Sequence, residues 1–232
     1  MNNTALNLIA IGIFIMTITS LLGPVLHISP VIPAGVTFVV LGLLTVDNLS
    51  WQSRGVTIFL DWVAGFSPSH RQRIIRHEAG HFLAAYFLGI PITGYTLTAW
   101  EAWRQKQPGL AGVNFDTESL FTEALVDGDS RLILDRCCTV WMAGIAAEEL
   151  MYEQSQGGGE DRQKVKQALL VFGYQERQSQ QKERWAILQA TELLQKYWQS
   201  YEALIVAMTD RASVEDCCRV IQGACISEEV KV

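Results

Sequence analysis

The sequence predicts a mainly α-helical protein with a small β-sheet, in which an N-terminal transmembrane helical hairpin precedes a helical domain. Three observations lead there. Met1 to Val46 contains no Lys, Arg, Asp or Glu, while all the charge of the 232-residue chain lies beyond it. Apolar residues recur at helical spacing over most of the remainder. Two short stretches within that remainder, 92–98 and 111–115, read instead as β-rich.

Taken in order, Ala5 to Leu26 is an apolar run long enough for a bilayer core of about 30 Å. Val31 to Val46 is a second, shorter run that would need tilt or a thinned bilayer. Between them Gly23-Pro24 and His27 to Pro33 read as an uncharged turn, so residues 1–46 are expected to form a hairpin with both ends on one side. The first run carries no positive n-region and is longer than a signal-peptide core. Arg54, Arg71, Arg73 and Arg76 follow the second run, which favours the cytoplasmic face or its organellar equivalent. Residues 47–66, with Trp51 and Trp62, read as a membrane-proximal linker, and residues 67–232 as one domain with its own core.

A helix is expected from about Ser69 to Leu88, opened by Pro68 and the capping pattern Ser69-His70-Arg71-Gln72 and closed by Gly89 and Pro91. It carries His77-Glu78-Ala79-Gly80-His81. Two histidines four apart stack on one helical face, where each ring can offer a nitrogen to one tetrahedral Zn²⁺. Glu78 projects beside that stripe, placed to take the proton of a water that the ion acidifies. The competing reading is a buried helix that merely carries two histidines; a buried glutamate beside them would then need other partners.

Ile92 to Thr98 and Ala111 to Phe115 follow as strands separated by Pro108-Gly109, and the sheet is either a structural hairpin or an edge that pairs with extended peptide. Asp129 to Met151 reads as a helix ending in Ala146-Ala147-Glu148-Glu149-Leu150. Gly157-Gly158-Gly159 then allows a sharp turn before a helix from Arg162 to about Phe172. A long polar helix from Glu176 to about Ala207 and a short one from Ser213 to Gly223 complete the chain.

A catalytic zinc takes three protein ligands. His27 and His70 are badly placed, so an oxygen ligand is expected among Asp161, Glu160, Glu148 and Glu149. Asp161 is favoured because the glycines could bring it against a metal, although spacing alone fits a helix N-cap there better. Cys137, Cys138, Cys217, Cys218 and Cys225 match neither a zinc-ribbon spacing nor a disulfide framework and read as buried thiols in a reducing compartment. The net charge of −6, with no basic cluster, speaks against a nucleic-acid partner.

His77 to His81, then Leu110-Ala111-Gly112-Val113, then Ala143-Gly144-Ile145-Ala146-Ala147-Glu148-Glu149-Leu150, then Gly157-Gly158-Gly159-Glu160-Asp161, resemble in order and approximate spacing the protease domain of the FtsH-type membrane-bound zinc peptidases. The resemblance covers about residues 69 to 225. It implies a zinc metalloendopeptidase in which His77, His81 and Asp161 bind Zn²⁺, Glu78 is the base, and Glu148 and Glu149 serve packing or support the ligands. It further implies protein or peptide substrates and a homo-oligomer. Small members that keep the peptidase half resemble ones in oxygenic phototrophs, which implies a thylakoid or plasma membrane.

The chain departs from that pattern in three ways. No Gly-x-x-x-x-Gly-Lys-Ser/Thr loop is present, so no ATP binding of its own is expected, and a partner ATPase would have to deliver folded substrates. Glu160 precedes the aspartate in a stretch one residue short. Phe82 replaces a small residue and either narrows the site or fills core. Two other readings stand beside this one. An intramembrane metalloprotease would use Val126-Asp127-Gly128 as its ligand signature, although residues 116–135 are too polar to span. A non-proteolytic metal-binding scaffold or regulator of motor-bearing proteases would leave Glu78 without a use.

Overall fold

The structure, a computed structural model, describes residues 3–23, 25, 27, 29, 31–51, 55, 59, 67–105, 112–117, 119–120 and 129–229. In chain order the elements are α1 (Asn3–Leu22), α2 (Val31–Trp51), α3 (Pro68–Leu88), β1 (Ile92–Thr96), α4 (Ala99–Arg104), β2 (Gly112–Phe115), α5 (Ser130–Tyr152), α6 (Gly159–Val171), α7 (Glu176–Lys196), α8 (Trp198–Thr209) and α9 (Val214–Glu229). The protein is thus mainly helical with one small sheet, as its periodicity implies. Trp62, Pro108-Gly109, Leu110, Ala111 and the Val126-Asp127-Gly128 signature lie outside the described residues. Two compact units emerge, residues 1–68 with 98–110, and residues 69–97 with 111–232.

In the first unit α1 and α2 pair, and the Thr37 hydroxyl lies 3.2 Å from Met16 Sδ. Among the described residues, however, no helix is long and apolar enough to cross a membrane. This corrects the expected transmembrane hairpin over 1–46 and the integral-membrane location. Polar residues interrupt both helices. In α1, Asn7 precedes the stretch Leu8 to Met16, and Thr17, Thr19 and Ser20 follow it; α2 carries Asp47, Asn48 and Ser50 in its last two turns. Aliphatic content alone does not register these breaks. In the same unit Thr98 caps α4, its hydroxyl accepting from the Glu101 N–H at 3.2 Å, a short helix that the sequence reading misses.

The second unit is built around α3. Every residue from Ile75 to Ala85 is buried, so this helix is enclosed on all sides rather than amphipathic. Arg76, His77, Glu78 and His81 must therefore find partners inside the protein. Phe82 is fully buried and meets Tyr95 edge to face; of its two expected roles it takes the core one. Helix α5 runs antiparallel to α3, since His77 meets Glu148 whereas His81 meets Val140. The two backbones approach closely at Gly80, where a Cβ would lie 2.6 Å from the Ala143 carbonyl oxygen. Helices α6 and α7 cover α5, and α9 packs on α8 and on β1. Strands β1 and β2 are antiparallel, with Tyr95 opposite Val113 and a register shift between Ile92 and Gly94.

Two boundaries differ from expectation. The single helix expected over 176–207 breaks at Tyr197 (φ −112°, ψ 41°), whose ring stacks on Phe87, and from α8 the Tyr201 hydroxyl donates to the Arg76 carbonyl at 2.8 Å. Helix α6 begins at Gly159 rather than Arg162, because Gly158 takes the left-handed conformation (φ 84°) and serves as the N-cap.

Candidate metal centre

Every side chain at the site follows from how three helix segments meet within the second unit. Helix α3 contributes His77 and His81 from one face, with ring centroids 4.7 Å apart and planes at 76°. Helix α6 contributes Asp161 from its first turn. Its Oδ2 lies 3.3 Å from His77 Nε2 and 3.6 Å from His81 Nε2, both within salt-bridge distance. One ligand atom from each of the three residues falls within 4.8 Å of the others, a grouping that could hold a metal ion. The early start of α6 matters here: Asp161 sits inside the helix rather than capping it, so its carboxylate is not consumed by backbone N–H groups.

The outer nitrogens of both rings are tied down. His81 Nδ1 donates to the Val140 carbonyl at 2.7 Å, and His77 Nδ1 lies 2.8 Å from Glu148 Oε1. A proton on each Nδ1 leaves each Nε2 as the metal-facing atom, the arrangement that orients imidazole ligands and increases their basicity. Helix α5 makes room for this convergence at Gly144, where a Cβ would lie 2.5 Å from Nε2 of both histidines. The residues present therefore fit a cation with two imidazole donors and one carboxylate.

The candidate oxygen ligands separate clearly. Glu148 is buried and turned to His77 Nδ1, while Glu149 and Glu160 are exposed. Only Asp161 reaches both Nε2 atoms among the described residues, which leaves Glu149 and Glu160 out of the site and corrects the support role expected of Glu149. His70 is half-buried and outside the cluster.

Glu78 is buried, and its Oε2 accepts the Val113 N–H of β2 at 3.1 Å. Burial raises its pKa, an effect that the nearby His81 and His77 partly oppose. The carboxyl is thereby moved towards the range in which an acid/base group works best at neutral pH. Burial would lower the pKa of His77, but hydrogen bonds to the Asp161 and Glu148 carboxylates reverse this and push it up to about 10. Burial would raise that of Asp161, but His81 and His77 hold it well below the usual carboxylate range.

Three contributors have no mark in the motif itself: Gly144, the Val140 carbonyl and the Val113 N–H. Gly144 has a faint signal, because it lies in the small-residue run Ala143-Gly144-Ile145-Ala146-Ala147, the composition that close helix contact requires. Main-chain groups carry no sequence signal. No protein-family model matches the chain, and no curated protein matches it.

Proposed function

We propose that the chain is a zinc-dependent, ATP-independent endopeptidase resembling the FtsH-type peptidases, acting on unfolded or tail-like protein segments. The observation that carries the reading is the convergence of His77 Nε2, His81 Nε2 and Asp161 Oδ2 beside a buried glutamate that is not needed to complete the set. A metal held only for structure has no use for such a base.

His77, His81 and Asp161 would hold Zn²⁺, which when bound supplies Lewis-acid polarisation of a carbonyl and acidifies water. Glu78 takes the proton of the attacking water and passes it to the leaving amine nitrogen. The Val113 N–H fixes the Glu78 carboxylate while it does so. Strand β2 has β1 on one side only among the described residues, so the main-chain groups of its other edge, the Val113 N–H held by Glu78 excepted, are suited to pairing with an extended peptide, which recognises chain conformation rather than sequence. Substrates would arrive already unfolded or be handed over by a partner ATPase.

Glu78→Gln tests the reading. The variant keeps the zinc content of the wild type and loses cleavage of casein by at least about 100-fold, the range of a lost general base. Equal cleavage by the two, or none by the zinc-loaded wild type, contradicts it and favours the scaffold reading.

A further inference from the structure

Glu148 is the most enclosed carboxylate of the site, with 2% of its side chain exposed, and each of its oxygens takes two donors. Oε1 accepts from His77 Nδ1 at 2.8 Å and from the Gly157 N–H at 3.3 Å. Oε2 accepts from the Gln156 N–H at 2.9 Å and from Arg73 Nη1 at 3.0 Å. All its lone-pair directions are thus used. Apart from His77 itself, Arg73 is the charged member of that set.

Arg73 is itself braced. It lies four residues before His77, on the same face of α3. Its Nη1 also donates to the Gln154 carbonyl at 3.2 Å, and its guanidinium sits 4.2 Å from the centroid of the Tyr152 ring. The two histidines differ in this respect. His81 is oriented by the Val140 carbonyl, which the helix backbone fixes, whereas His77 is oriented by a side chain with three rotatable bonds.

We propose that Arg73 is a positioning residue of the metal centre: it locks the rotamer of Glu148, and so holds the Glu148 carboxylate against His77 Nδ1 and keeps Nε2 aimed at the metal. The inference rests on the reading of His77 as a zinc ligand. A partner one step beyond a metal-bound imidazole typically changes metal affinity by about 10- to 100-fold. Arg73 acts through Glu148, so its effect disappears when the Glu148 charge is removed.

Zinc affinity measured by competition with a chromogenic chelator, with folding checked by circular dichroism, decides the matter for Arg73→Met, Arg73→Lys, Glu148→Gln and the Arg73→Met/Glu148→Gln pair. Arg73→Met weakens zinc binding by about 10-fold or more. Arg73→Lys loses less, since it keeps a cation near Glu148 but not the planar guanidinium that packs on the Tyr152 ring. The double variant binds no worse than Glu148→Gln alone. Wild-type affinity in folded Arg73→Met overturns the proposal, and so does an equal further loss on top of Glu148→Gln, the pattern of a role confined to the 152–157 turn. Should Arg73→Met fail to fold, Arg73→Gln carries the test, and wild-type affinity in that folded variant is the overturning result. A wild type that binds no zinc, or His77→Ala with unchanged affinity, instead sinks the metal reading and takes this inference with it.

Discussion

At Gly144 a single hydrogen in place of a methyl group lets two imidazoles converge. A Cβ there would lie 2.5 Å from both Nε2 atoms, and the rings cannot swing away without breaking their bonds to Glu148 and Val140. Gly144→Ala is therefore expected to lower zinc affinity at least about 10-fold, comparable to losing a partner that orients a ligand, while the far-ultraviolet circular dichroism spectrum is kept. Zinc titration of the variant checks this. The thiols give a second expectation at the same scale. Burial pushes Cys138 up to about 12 and Cys137 and Cys217 up to about 11, so the reactive thiolate is scarce at neutral pH. In the native protein these three should resist an aromatic disulfide reagent at pH 7.5 and react only on unfolding. Rapid labelling of Cys138 in the folded chain would contradict its placement. At this scale the motif histidines and Glu78 were legible because helical geometry alone puts them together. Asp161 was only half legible, because an aspartate behind glycines reads equally well as a helix cap.

The helices owe their arrangement to small residues at crossings, and boundaries were where the sequence was hardest to read. Three consecutive glycines announce a turn between α5 and α6 without saying which of them takes the left-handed conformation. It is Gly158, at φ 84°, where a Cβ would also run into the Ile145 side chain. That choice starts α6 early and sets the direction of Asp161. Gly158→Ala should cost about 1–3 kcal/mol from the strained backbone and the overpacked neighbour together, read as a lower urea midpoint with an unchanged slope. An unaffected midpoint would mean that the turn is built differently. The break at Tyr197 was invisible for another reason: Tyr197 is an acceptable helix residue, and its stacking on Phe87 is a tertiary contact that local propensity does not show. Phe82→Ala, which empties a fully buried site next to Tyr95, is expected to destabilise the protein by about 3–5 kcal/mol in the same assay.

For the whole molecule, composition established the helical class and the small sheet, since periodicity survives without tertiary detail. It misjudged the N-terminal pair. The absence of charge before Asp47 suggested a bilayer hairpin, yet among the described residues neither α1 nor α2 is long and apolar enough to cross one. Freedom from charge is a weaker condition than unbroken apolar length, and residues such as Asn7, Thr17 and Ser20 mark the difference. The centre of the second unit holds two imidazoles and three carboxylates in its interior, an arrangement that a bound cation would reconcile. Removing zinc by chelation should lower the melting temperature, and adding it back at 100 times its dissociation constant should restore about 2.7 kcal/mol. Zinc K-edge X-ray absorption of the purified, metal-loaded chain tests the central claim most directly. One zinc per chain is expected, with only nitrogen and oxygen neighbours at about 2.0–2.2 Å and the multiple-scattering signature of two imidazoles, and with one oxygen neighbour fewer from protein in Asp161→Ala. Sulfur neighbours at about 2.3 Å, or a spectrum that His77→Ala and Asp161→Ala leave unchanged, would contradict it.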